Sequence, residues 1–228
     1  MPFSIETLDF LSLNRAMNSR EWFHAHRAEY ESLVVAPMAE LVDALAPAMA
    51  EIDPALICDP RVGKSISRIW RDTRRGPELP IYRDVMWLTF LREKYAALPG
   101  FWFEFSPRAL RWGCGWYQTP PEVMDAARTL VKEGSRAYQA AKCAAKKRPD
   151  FVLEDTRYKR SRHPDAPEDD RLWLDQRSLC LIRDEGDIDA LFDGALAERL
   201  SDDFRAMAPV YGFFMAAYDR APKERMRL

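Results

Sequence analysis

The sequence predicts an α+β fold, with a largely antiparallel central sheet flanked by N- and C-terminal helices. Three observations predict it. The first third carries apolar residues at helical spacing. The middle third carries short aromatic or β-branched segments separated by Pro and Gly, with connections mostly too short for crossover helices. The last third returns to helical spacing.

The helical opening begins at Ser4, a good N-cap, with Glu6 in the first turn and Phe3 placed to staple onto Leu8. Ser19 is a second start signal. From it Trp22, Phe23, His26, Tyr30, Leu33, Val34, Met38, Leu41 and Leu45 trace one stripe. Pro37 lacks a backbone donor, so it is expected to kink or restart this helix. Asp53-Pro54 and Asp59-Pro60 close the region. Strands are expected over residues 65–72, 86–93, 101–106 and 110–117. Phe101, Phe103 and Phe105 alternate with Trp102, Glu104 and Ser106, the pattern of a half-buried strand. Pro120-Pro121 opens a helix expected to run to about Lys147. Further strands are expected at 150–154 and 172–183, and closing helices near Asp187 and Ser201.

No repeat, low-complexity tract or Gly/Ser linker marks a boundary, so residues 1–228 are expected to form a single domain. The 47% hydrophobic content, with seven Trp, is enough for one sizeable core. The net charge of −2 gives no global attraction for nucleic acid or anionic lipid. Locally the balance differs: residues 60–112 carry eleven Lys/Arg against five Asp/Glu, and residues 165–203 four against thirteen. The four cysteines are scattered without a CxxC, as in a reduced cytoplasmic protein. No signal peptide is read at the N-terminus, and Ala206–Tyr218 is too short to span a bilayer.

Familiar catalytic patterns are missing. Gly63-Lys64-Ser65 resembles the end of a P-loop, but Cys58 stands where that loop needs Gly and a strand follows instead of a helix. His24 and His26, two apart on a helix, point about 200° apart and cannot chelate one metal. No HExxH, GxSxG or paired-Cys zinc spacing occurs, and no metal or cofactor is predicted.

One segment concentrates chemistry: Arg68, Arg71, Asp72, Arg74 and Arg75, then Tyr82, Arg83 and Asp84. Guanidinium groups bind carboxylate or phosphate in a bidentate fork. Strand alternation sets Arg68 and Arg74 on one face and Arg71 on the other, unless a bulge near Asp72 gathers them. Three readings stay open. Asp72, Asp84 and Glu104 neutralise the arginines in an ion-pair network; the arginines hold an anion; or they contact nucleic acid, against which the overall acidity weighs.

The same residues resemble the signature of the DUF2461 family of bacterial proteins: Arg68-x-x-Arg71-Asp72-x-Arg74, then Tyr82. Asn18-Ser19-Arg20-Glu21-Trp22-Phe23 with Arg27, Tyr30 and Pro37 resembles its opening helix motif. Gly113-Cys114-Gly115-Trp116 with Pro120-Pro121, and Tyr158-Lys159-Arg160 with His163-Pro164, resemble its later motifs. The resemblance implies a chain of about this length, with no established activity and no known cofactor. In that family lysines usually stand where this chain has Pro77 and Leu79, a departure that weakens or alters any function they serve.

Two functions are therefore carried forward. In one, an anionic small ligand is held by Arg68, Arg71, Arg74 and Arg83. Asp72 orients an arginine or acts as base, Tyr82 donates a hydrogen bond or a proton, and Lys159, Arg160 and His163 form a second wall. In the other, the chain is a non-catalytic module whose basic region docks a protein or nucleic acid. Whether it is an enzyme, and its oligomeric state, are left open by the sequence.

Overall fold

The structure, a computed structural model, describes residues 3–72, 74, 76, 78–93 and 97–222. The Arg75 and Pro77 of the sequence reading lie outside the described residues. Helices α1 (Ile5–Met17), α2 (Arg20–Ala25), α3 (Arg27–Tyr30) and α4 (Ala36–Ile52) precede strands β1 (Met86–Phe90), β2 (Gly100–Ser106) and β3 (Ala109–Gly115). Helices α5 (Pro121–Lys132) and α6 (Arg136–Lys147), strand β4 (Val152–Leu153), helix α7 (Glu168–Leu174), strand β5 (Cys180–Glu185) and helix α8 (Leu196–Arg220) follow. The strands form one antiparallel sheet in the order β1-β2-β3-β5-β4, so the fold is α+β.

By contact density the chain divides into two compact units, each discontinuous in sequence. The first comprises Met1–Phe90, Trp102–Trp112 and Asp184–Asp202; the second comprises Leu91–Phe101, Gly113–Arg183 and Asp203–Leu228.

In the first unit the expected caps form. Ser19 Oγ accepts the Trp22 N–H at 3.2 Å. Thr7 Oγ1 accepts the Ser4 N–H at 3.1 Å and donates to the Leu33 carbonyl at 2.8 Å, tying α1 to the segment before α4. The restart expected at Pro37 occurs through a π-helical turn, Glu31–Val35, in which the Ala36 N–H reaches the Glu31 carbonyl. That wider turn meets the proline, which supplies no donor, in the first turn of α4. The helical run Arg27–Ile52 is long and apolar enough by composition to cross a membrane. Here its stripe is core: Val34, Met38, Leu41, Val42, Leu45 and Met49 are fully buried. Phe3 packs on Phe105 at 4.8 Å, and Phe103 meets Trp112 at 6.3 Å.

The second unit is centred on Tyr138, Trp173 and Phe213, whose ring centroids lie 5.6–5.8 Å apart. Gly113 and Gly115 explain one sequence motif. A Cβ on either would lie 2.2 Å from the Leu181 carbonyl oxygen or 2.3 Å from that of Leu179, so β5 approaches β3 only because both are glycine. Gly115 also has φ +142°.

Several expected elements differ. Residues 65–72 make isolated bridges, Ile66 to Val62 and to Leu88 and Trp70 to Tyr82, and not a continuous strand. The helix from Pro121 stops at Lys132, because Gly134 turns to φ +59° and Ser135 caps a new helix by accepting the Tyr138 N–H at 3.3 Å. The expected strand 172–183 is divided: α7 takes 168–174 and β5 starts only at Cys180. Near Asp187 there is a single 3-10 turn, Ile188–Leu191, and Ser201 lies inside α8 instead of starting it.

Candidate functional site

The arginine segment folds back on itself within the first unit. The Arg71 N–H donates to the Ile81 carbonyl at 2.7 Å and the Arg83 N–H to the Ile69 carbonyl at 2.8 Å, bracketing the Trp70–Tyr82 bridge. Side chains alternate across such a pair. Arg71 and Arg83 therefore share one face, and Arg68 and Asp84 share the other. Asn18, from the C-terminal end of α1, anchors the fold-back by accepting the Ile81 N–H at 2.7 Å.

The carboxylates near these arginines are already engaged, and unevenly. Asp72 accepts from Arg74 Nε and Nη2 at 2.8 and 2.7 Å, with the Arg74 side chain 87% exposed. Asp84, nearly buried, is held by Arg15 at 2.7 Å and Arg108 at 2.8 Å, neither of which the sequence reading named. Burial pushes the Asp84 carboxyl up, but the Arg108 hydrogen bond and its other partners bring it below its ordinary value. The remaining cations have no carboxylate among the described residues. Arg68 is exposed and lies against Gly63. Arg71 is half-buried, and its Nε is buried with no hydrogen-bond partner among the described residues. Arg83 Nη1 donates to the carbonyls of Arg68 and Trp70 at 3.2 and 3.3 Å, and its guanidinium lies 4.8 Å from the Trp87 ring centre. Burial lowers the Arg83 pKa, and the positive charge of Arg71 lowers it further.

Tyr82 is packed more than it is presented. It is 4% exposed and stacks on Phe23 at 5.0 Å, and burial raises its pKa. Leu79 is 47% exposed, and its N–H closes a turn to the Gly76 carbonyl at 3.1 Å. Arg68 and Arg71 fall on opposite faces of the fold-back, and Arg74 is held by Asp72. The pair that shares a face and lacks acids is Arg71 and Arg83.

Lys159, Arg160 and His163 belong to the second unit, on the loop between β4 and α7. This loop is pinned by Thr156, whose N–H and hydroxyl both donate to Gln176 Oε1 at 3.1 and 2.9 Å. It borders a cavity of about 470 Å³ whose lining includes Tyr158, Lys159, Ser161, Glu168, Arg171 and Asp175. Arg160 is exposed, and His163 is half-buried. Burial lowers the His163 pKa below its ordinary 6.5; Lys132, Arg128 and Arg162 lower it too, against the pull of Asp175. Ser161, His163 and Asp175 have the composition of a nucleophile triad but not its wiring. What the Ser161 Oγ accepts from His163 is the backbone N–H at 3.1 Å, and the Asp175 carboxylate accepts the Arg162 backbone N–H at 3.0 Å.

His26 holds its Nδ1 2.8 Å from the Trp22 carbonyl and stacks on the Trp22 ring at 4.0 Å, a packed helix residue. Among the described residues no three His, Cys, Asp or Glu side chains are grouped as a metal site. The cavity residues Ser161, Arg171 and Asp175 were missed by sequence reasoning. Arg171 and Asp175 fall in the strongly acidic stretch, where the signal was an isolated arginine among carboxylates.

A family model described as "Conserved hypothetical protein (DUF2461)" matches residues 6–213, and the chain belongs to that family. No curated protein matches it.

Proposed function

We propose that this DUF2461 member binds an anionic small ligand, bearing phosphate or carboxylate, between the guanidinium groups of Arg71 and Arg83. One observation carries the reading: Arg71 keeps a buried, unpartnered Nε beside a second cation, and no described carboxylate reaches either. An unmade hydrogen bond of this kind costs about 1–3 kcal/mol. An oxyanion on the face the two side chains share would accept from both and cancel their repulsion. Arg68 adds positive potential from the other face. Trp87, already beneath Arg83, holds that guanidinium in place.

The competing reading, a docking module with structural arginines, is favoured at one residue only. Arg74 is spent on Asp72 at the surface. The chain is further inferred to work in the bacterial cytoplasm, consistent with four unpaired cysteines. Isothermal titration of the protein with phosphate, sulfate and small dicarboxylates tests the binding. Saturable uptake of one anion per chain, abolished in Arg71→Met and kept in Arg74→Ala, is expected. Equal uptake by wild type and Arg71→Met overturns the reading.

A further inference from the structure

The face shared by Arg71 and Arg83 carries four side chains in a checkerboard. Arg71 stands across from Ile81 and Ile69 across from Arg83, so the two arginines are diagonal neighbours. Diagonal positions in an antiparallel pair lie about 7–8 Å apart, within reach of two long side chains. That closeness is felt electrostatically, since the Arg71 charge lowers the Arg83 pKa. Ile69 is fully buried and Ile81 half-buried, so the other two squares of the board are apolar and offer no acceptor.

The fold also decides which N–H groups stay free. Arg83 donates from Nη1 to the carbonyls of Arg68 and Trp70 at 3.2 and 3.3 Å, and Trp87 of β1 lies beneath its guanidinium. Among the described residues its Nε and Nη2 bond nothing, and these two groups form the edge that grips an oxyanion side-on. Arg61, Arg74 and Arg157 present the same edge to Asp59, Asp72 and Asp155. The Arg71 guanidinium makes no hydrogen bond among the described residues.

A two-pronged fork therefore stands on one side and a second guanidinium on the diagonal. A carboxylate fills such a fork with both its oxygens and has none left for another direction. Where two arginines do share a carboxylate in this unit, at Asp84, each oxygen takes one arginine: Arg15 on Oδ1, Arg108 on Oδ2. That arrangement would leave half of the Arg83 edge unused. A phosphate monoester has three terminal oxygens and about 1.5 to 2 negative charges at pH 7, so it fills the fork and still meets the second cation.

We propose that the anion held here is a small phosphate monoester, with two terminal oxygens on Nε and Nη2 of Arg83 and the third on Arg71. This rests on the anion-site reading above and narrows it to one chemical class.

The test is isothermal titration of the full chain with methyl phosphate, dimethyl phosphate, inorganic phosphate, acetate and malonate. Malonate matches the charge of the monoester without its geometry, and dimethyl phosphate keeps only two free oxygens and one charge. Methyl phosphate is expected to bind about tenfold or more tighter than acetate, malonate or dimethyl phosphate. Arg83→Lys keeps the charge and loses the fork, so its preference for methyl phosphate over malonate should shrink. If that variant fails to fold, the ligand series on wild type decides alone. Acetate, malonate or dimethyl phosphate bound as tightly as methyl phosphate, and lost in Arg71→Met, overturns the assignment while the anion site stands. Inorganic phosphate bound with methyl phosphate refused overturns it in favour of free phosphate. Failure of every anion to bind at about 10 mM removes the anion site and this inference together.

Discussion

Two arginine groups in this protein have similar composition and opposite states. In the second unit Arg148 contacts Asp150 and Asp203 at 2.7 and 2.6 Å, and Arg183 reaches the same two carboxylates at 2.9 and 3.4 Å. In the first unit Arg71 and Arg83 face each other's charge with no described acid in reach. The first group has the wiring of scaffolding, with each cation satisfied by the fold. The second has a demand the fold leaves open. Counting arginines therefore says little about function; where their carboxylates go says much more.

The sharpest way to break this contrast is to remove the shared acid of the paired group. Asp203→Ala should destabilise by about 2–4 kcal/mol, because two partly buried guanidinium groups lose a common partner. Urea unfolding checks it, and a loss no larger than that of an exposed substitution would dissolve the distinction. Next in size is ligand stabilisation in the unpaired group. A bound anion at 100 times its dissociation constant should add about 2.7 kcal/mol to wild type and nothing to Arg71→Met, read as a shift in Tm.

Acid should act on the paired group as well. The hydrogen bond from Arg148 holds the Asp150 carboxyl below its ordinary 3.8. A carboxylate depressed in the fold contributes stability above its unfolded value and loses it as pH falls through the folded one. Stability should thus drop below about pH 3.8, and less steeply in Asp150→Asn. His163 has the opposite chemistry but the same slope. Its lowered pKa means that below pH 6.5 the unfolded chain takes up the proton more readily, so stability declines as pH falls from there. Proton NMR should find this ring titrating below 6.5. The smallest effect is expected at the surface, where Arg74→Ala should leave both melting and anion uptake unchanged.

Much of the fold was legible because burial follows period. Phe101, Phe103 and Phe105 are fully buried, with Trp102 and Glu104 half-exposed; of the stripe from Trp22 to Leu45, Phe23, Tyr30, Val34, Met38, Leu41 and Leu45 are core, while Trp22, His26 and Leu33 are half-exposed. The alternation failed at Ser106, which is buried because its hydroxyl closes the β2–β3 turn on Arg108 and Ala109. Element type was lost where a short apolar run suits either period. Leu172-Trp173-Leu174 read as strand, although Pro167 followed by Glu168, Asp169 and Asp170 carried a helix-start signal. The site was half legible. The sequence identified the arginines and the bidentate chemistry available to them. It did not reveal that Asp84 is claimed by Arg15 from α1 and by Arg108 from the turn after β2, since both are contacts distant in sequence. Asp84 lies on the face opposite Arg71 and Arg83, and among the described residues no acid reaches that pair. The unpartnered state of Arg71 is a property of the fold, invisible in its neighbours along the chain.

Arg71→Met, melted with and without the anion that wild type binds, tests the central claim most directly. Deleting an unpartnered, half-buried cation beside another should leave the free protein as stable as wild type, or raise its stability by up to about 1 kcal/mol, while abolishing stabilisation by the anion. A variant that melts several degrees lower, with the anion's effect intact, would show Arg71 to be scaffolding and contradict the account.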